Sequence, residues 1–234
     1  MTVADSTISK ESKKSTARSG KTRRKGVPQK RDPAATRQRI LEASESEFSR
    51  HGYSGARVER IATAARANIR MIYHYFGGKE GLYLAVLERV YERIRMLERQ
   101  LRLETYEPVE GVRRLVEFTF DYLLAHPEFV AILRTENVMG ACFLKRSRAV
   151  PRSTEPLMQA IEDLLERGRA AGLFHARTDA VQLYVTLLSL CFTHISNRHT
   201  LSVMFQRDMA DPEWLSERRK HVVDVALAYL TASG

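Results

Sequence analysis

The sequence predicts an all-α chain, with three short N-terminal helices leading through a connector into a larger helical bundle. Two observations carry that expectation. From Pro33 onward apolar residues recur every three or four positions, the spacing that lines one side of a helix. Glycine and proline fall mostly between these periodic segments, and neither a hairpin signal nor a long β-branched alternation interrupts them.

Taken in order, residues 34–51 place Ile40, Leu41, Ala43 and Phe48 on an apolar face, with the small Ser44 among them, until "HGY" stops the helix. A short helix is expected at about 58–65, on Val58, Ile61, Ala62 and Ala65, and a second at about 69–75 after a break at 66–68. A long amphipathic helix is expected from Lys79 to about Glu104, on Leu82, Val86, Val90, Ile94, Leu97 and Leu101. Beyond Pro108 the expected helices are 109–125, 128–139, 154–171, 179–199 and 212–231. The breaks fall at His126–Pro127, from Gly140 to Pro151, from Gly172 to Thr178 and from Ser202 to Pro212.

At 234 residues the chain is long enough to bury a sizeable core, and its 44% hydrophobic and 28% charged residues are an ordinary globular balance. No apolar run approaches the roughly 20 residues of a membrane span, and the polar N-terminus is not a secretory signal. No membrane partner is therefore expected, and a cysteine usage without pairs fits a reducing cytoplasm. Cys142 and Cys191 stand far apart outside any CxxC pair, so they are expected to be small apolar fillers, not a disulfide or zinc site. No metal or cofactor is expected.

The formal charge of +10 is unevenly placed. Residues 1–31 hold ten Lys/Arg against Asp5 and Glu11, a net +8 that leaves +2 for the other 203 residues. Residues 1–33, rich in Ser, Thr, Lys and Arg, cannot bury enough surface to offset chain entropy and are expected to form a disordered basic tail. Such a tail is either an arm that tracks phosphates or a solubilising leader.

The pair 58–65 and 69–75, joined by a short turn, is a helix-turn-helix candidate. Small Ala62 and Ala65 permit close approach, and Asn68 suits the N-cap, where helix-start donors can also meet a phosphate. On the presented helix Ile69, Arg70 and Met71 are expected to face the major groove. Tyr73, His74 and Tyr75 can hydrogen-bond phosphates while their rings pack on sugars or a thymine methyl. Phe76 would turn inward, and Lys79 would take a further phosphate at the long helix's start. The plainer alternative is that the tyrosines and His74 only pack.

The stretch "ILEASESEFSRHGYSGARVERIATAARANIRMIYHYFGGKEGL" resembles the DNA-binding domain of the TetR/AcrR transcriptional regulators. The resemblance covers about 34–94 and rests on "IL.A....F...GY", "V..IA..A" and "IYHYF..KE.L". It implies an N-terminal three-helix helix-turn-helix domain at 34–94 and a ligand-binding and dimerisation bundle at 95–234. It further implies a dimeric repressor of double-stranded DNA, released by a small-molecule effector. Three departures stand out. Ala56 and Arg57 replace the family's usual Thr or Ser, so a cap and phosphate contact is lost unless Arg57 substitutes for it. Arg66 occupies the turn-glycine position, and Arg70 is a longer reader than usual, suited to guanine.

Candidates for effector contact are Phe118, Tyr122, Arg134, Asn137, Tyr184 and His194. The aromatics and His194 have a bland counterpart as core, and Arg134 as the partner of Glu136 or Glu128. "SNRHTLSVMFQRD" at 196–208 is similar to one branch of these effector domains, some of which respond to aromatic or N-heterocyclic compounds. Apolar stripes on 179–199 (Val181, Tyr184, Val185, Leu188) and 212–231 (Trp214, Val222, Val225, Leu230) would pair across a homodimer axis. A two-fold dimer implies a near-palindromic operator. Catalysis has no local signature, since HExxH, Walker A, GxSxG and the bundle ExxH pair are all missing. The competing readings are a ligand-independent architectural DNA-binding protein and a helical-bundle enzyme.

Overall fold

Helix begins at Pro33, one residue earlier than expected, because Asp32 caps it: the Asp32 side chain accepts from the Ala34 N–H at 2.9 Å and Pro33 sits in the first turn. The computed structural model describes residues 32–175 and 177–232; the basic tail expected at 1–33 lies outside these except for Asp32 and Pro33. Ten α-helices follow among the described residues, with no strand: α1 (Pro33–Gly55), α2 (Val58–Ala64), α3 (Ile69–Phe76), α4 (Lys79–Gln100), α5 (Pro108–Ala125), α6 (Pro127–Val138), α7 (Ala149–Ala170), α8 (Ala180–Ser196), α9 (Arg198–Phe205) and α10 (Pro212–Thr231).

The first helix buries Ile40, Leu41, Ser44 and Phe48, and Ser44 returns its hydroxyl to the Ile40 carbonyl at 2.6 Å. Regular helix stops at Gly52, whose φ of 64° only glycine adopts without strain, as the "HGY" break foretold. α1 then packs on α2 and α4 and also lies along α6, so residues 32–232 form one compact unit. Each fully buried Ile, Leu or Phe here contributes about 1.5–3 kcal/mol.

Three boundaries differ from expectation, each for a local reason. α4 ends at Gln100, not at about Glu104, because Arg102 turns left-handed (φ 52°) into a 3-10 turn at Leu103–Thr105. Arg167 secures that turn by donating to the Tyr106 and Leu103 carbonyls at 2.7 and 3.0 Å. α7 starts at Ala149 rather than 154: Pro151 lies in its first turn, where no backbone donor is needed, and Ser147 Oγ accepts from Val150 N–H at 3.3 Å. The segment expected to run as helix to 199 breaks at Asn197, and α9 follows in what the sequence suggested was partly loop.

The bundle centres on α5, which touches α7, α8 and α10. Leu115, Val116, Phe120, Leu123, Ile161, Leu164, Leu187, Cys191 and Val222 fill it. Cys191 is a small core filler as expected, but Cys142 is exposed, in the turn that follows Gly140. No helix of the described residues is long and apolar enough to cross a membrane.

Candidate functional site

The presented helix α3 is set by its two ends. Asn68 caps it by accepting from the Arg70 N–H at 2.9 Å, and Gly77 closes it in the left-handed conformation at φ 74°. Beneath it, Ile72 is fully buried. The turn before it passes through Arg66 at φ 49°, so the arginine does adopt the conformation the sequence position implied.

Helical geometry then decides which side chains face out. Successive residues turn by about 100°, so Ile69, Arg70 and Met71 cannot all share one face. Arg70, Tyr73 and His74, at i, i+3 and i+4, share the exposed one, with Tyr73 56% exposed. Ile69, Met71 and Tyr75 are half-buried and pack against the core, so of Ile69, Arg70 and Met71 only Arg70 is exposed. Tyr75 lies between His74 and Phe76, with ring centroids 5.2 and 6.2 Å away.

The lost cap at α2 has a substitute. The exposed Arg57 makes no side-chain cap, but Glu47 on α1 accepts from the Arg57 N–H at 2.9 Å and from Arg60 Nε at 2.7 Å. Burial raises the Glu47 carboxyl, but these hydrogen bonds, with Arg60 and His51 charges, outweigh it and hold the group below its usual range. Lys79 is half-buried, its ammonium 4.8 Å from the Tyr53 ring centroid and 3.4 Å from the Ser54 carbonyl. Arg37, which sequence reasoning passed over, is exposed on α1 with its guanidinium 5.2 Å from the Phe76 ring centroid. Its signal was present as the turn of α1 preceding Leu41.

The six effector candidates do not form one set: Phe118, Tyr122 and Tyr184 lie inside the bundle on the α4 side, while Arg134, Asn137 and His194 lie elsewhere. Tyr122 is buried against Phe118 (5.8 Å), His126 (4.2 Å) and Phe129 (5.6 Å). Tyr184 reaches inward from α8 to α4. His194 lies elsewhere, buried between Phe120 at 5.1 Å and Trp214 at 5.6 Å. Burial and the Arg218 charge lower it to about 4. Arg134 is exposed on a groove of about 380 Å³ with Gly52, Tyr53 and Met139, not in the bundle interior. Its suggested partners are engaged elsewhere, Glu136 by the Phe143 and Leu144 N–H groups and Glu128 by His126 at 2.8 Å. Asn137 is exposed and donates to the Leu133 carbonyl at 2.9 Å. Helix α6 thus turns Arg134 and Asn137 outward while Glu136 goes in.

What the sequence reading missed is the polar pair that Tyr184 meets. Arg95 and Glu98 on α4 are only 5% and 3% exposed. Arg95 Nη2 donates to the Tyr184 hydroxyl at 2.9 Å, and Nη1 lies 2.7 Å from Glu98 Oε2. The Tyr184 hydroxyl in turn stands 3.5 Å from Glu98 Oε1. Burial pushes the Glu98 carboxyl up to about 7 against the opposing pull of Arg95 and Tyr184. Arg95 follows Tyr91 by one helical turn on the apolar face, which is the pattern that flags it.

Comparison with known proteins agrees with this architecture. Residues 40–86 match the family described as bacterial regulatory proteins, tetR family, and residues 108–226 match the tetracyclin repressor-like C-terminal domain. The chain is 38% identical over 192 residues to the HTH-type transcriptional repressor NicS of Pseudomonas putida, covering 82% of this chain and 91% of that one. It is 37% identical over 139 residues to the repressor SCO4008 of Streptomyces coelicolor, covering 59% and 69%. Among solved structures, the putative transcriptional regulator SCO4942 of Streptomyces coelicolor superposes with a TM-score of 0.63 at 25% identity, covering 83% of this chain and 98% of that one. With a helix-turn-helix at its N-terminus and an effector-type helical bundle behind it, the chain belongs to the TetR family of transcriptional regulators.

Proposed function

We propose that this protein is a one-component repressor acting in the cytoplasm, holding a near-palindromic operator as a two-fold dimer and leaving it when a small organic effector enters the bundle. The observation that carries this reading is the span of α4. One unbroken helix runs from Lys79, beside the recognition helix, to Arg95 and Glu98, buried in the bundle. Residues 34–94 are assigned the DNA-binding role and 95–234 the effector and dimerisation role, with α4 belonging to both. An effector favouring a different tilt of α4 changes the spacing of the two recognition helices, and operator affinity falls by that difference.

Arg70 is assigned the base-reading role, for which its exposure and reach suit it, and Tyr73 and His74 the flanking phosphates. Asn68 and the N–H groups it leaves at the helix start, together with Arg57, Arg37 and Lys79, extend the phosphate contact. Ile69, Met71 and Tyr75 are assigned the support of that surface. Dimerisation is assigned to the outward faces of α8 and α10, where Val181 and Val185 are 58% and 53% exposed beside exposed Val225 and Tyr229. Two residues of the expected stripes, Val222 and Leu230, are instead buried in the protein's own core, and Tyr184 points to Arg95.

Selection of bound sequences from random DNA, followed by a metabolite screen for release, tests the reading. Recovery of a near-palindrome from which at least one small molecule releases the protein is the expected result. Recovery of an operator that no metabolite releases would favour the ligand-independent alternative.

A further inference from the structure

Arg95, Glu98 and Tyr184 form a buried cluster in which hydrogen-bond donors outnumber carboxylate oxygens. Arg95 brings five guanidinium N–H groups and Tyr184 a hydroxyl, and the Tyr122 hydroxyl lies near enough to feel the Glu98 charge. Against these stands a single carboxylate, Glu98, whose Oε2 is also without an aligned donor. Arg95 Nε has no hydrogen-bond partner among the described residues, and the Nη1 contact with Glu98 Oε2 is an ion pair without hydrogen-bond alignment. The buried Tyr122 hydroxyl is also without a partner among the described residues. Buried polar groups left in this way are costly, and a bound acceptor would relieve several at once.

The walls narrow the class further. Tyr91 and Tyr122 meet Phe129 edge-on at 5.7 and 5.6 Å, and Phe118 stacks on Tyr122. Aromatic edges and faces of this kind accept another ring in the same offset or edge-on geometry. Resting on the effector-responsive reading above, we propose that Arg95, with the Tyr184 hydroxyl, is the recognition end of the effector site, and that the effector is a small aromatic monocarboxylate. Its two carboxylate oxygens supply the acceptors this corner lacks and compete with Glu98 for the guanidinium. A cationic effector would place like charge beside Arg95. A neutral ring would leave the guanidinium as under-satisfied as before.

The assignment also states how binding is felt at the DNA. Arg95 and Glu98 on α4 are joined to α8 through Tyr184. Lys79 lies 16 residues up the same helix, roughly 24 Å away at 1.5 Å per residue. A ligand inserted between Arg95 and its present partners separates α4 from α8 at one end and tilts the other.

The test uses the full chain with benzoate and its ring-hydroxylated analogues, each beside the matching carboxamide. Binding to the free protein is read by thermal shift and calorimetry, and release by operator anisotropy. At least one acid should bind roughly 10- to 100-fold more tightly than its amide, the size of a charged hydrogen bond. Arg95→Gln should abolish that preference. Because a lone Glu98 can impair folding, the pair is also replaced together by Arg95→Met with Glu98→Met, of similar volume and without charge. A double variant that melts cooperatively should show acid and amide binding equally weakly. Acids that bind no better than amides, or a double variant that keeps the preference, overturn the assignment. If other metabolites still release the operator, the effector-responsive reading survives that failure. If no small molecule releases it, both fall.

Discussion

The guanidinium of Arg93 on α4 reaches both carboxylate oxygens of Glu45 on α1, from Nη2 at 2.7 and 2.6 Å. Its other nitrogen lies 3.6 Å from Glu128 on α6. One side chain thus joins α1, α4 and α6. Arg93→Met leaves the buried Glu45 with only Arg89, 3.4 Å away, and should cost about 1–3 kcal/mol. Urea midpoints at unchanged slope check this, and an unshifted midpoint would show the contact to be a solvated one.

Gly81 brings the start of α4 close against the end of α3, since a Cβ there would collide with the Phe76 carbonyl oxygen. Gly81→Ala must push α3 and α4 apart. The expected outcome is a loss of about 1–3 kcal/mol in stability with weaker operator binding. Differential scanning calorimetry and fluorescence anisotropy on one preparation read both.

Arg70→Ala should relax preference at a single base position, by about 1–3 kcal/mol there, while Tyr73→Phe should weaken all sequences alike. Selection from a randomised operator library separates the two. Uniform loss for Arg70→Ala would move that residue to the phosphate backbone.

Val185→Glu, placed on the exposed face of α8, leaves the subunit core intact and should yield monomers with poor operator affinity. Sedimentation velocity at several concentrations reads the outcome directly. A variant that stays dimeric locates the interface away from α8.

His194 makes stability depend on pH. Burial and Arg218 hold it at about 4 from the usual 6.5, so between these values the unfolded chain binds a proton that the folded chain refuses. Stability is therefore fully present above pH 6.5, falls as pH drops through the window and levels off below about 4, a change on the order of 3 kcal/mol. Glu98, pushed up to about 7, acts in the opposite sense above its usual 4.5. The measurement is accordingly the difference between the parent and His194→Leu, which share the Glu98 effect. A difference that does not change with pH would mean that His194 titrates normally.

The sequence alone determined what depends on neighbours along the chain. Periodicity located most of the helices, Asn68 announced a cap that forms, Gly52 broke the regular run of α1, and the local motif at 40–82 carried the family resemblance. These are short-range effects of backbone geometry, and a few residues suffice to encode them. Only the tertiary structure decided which members of each apolar stripe face in. It buried Val222 and Leu230, left Val181 and Val185 outside, turned Arg134 and Asn137 to the surface, and seated Lys79 over Tyr53. It also brought Arg95 and Glu98 to Tyr184, 89 and 86 residues away in sequence. A helix's rotation about its axis is set by the helices packed against it, and the cost of a buried charge depends on partners that the chain brings near only by folding.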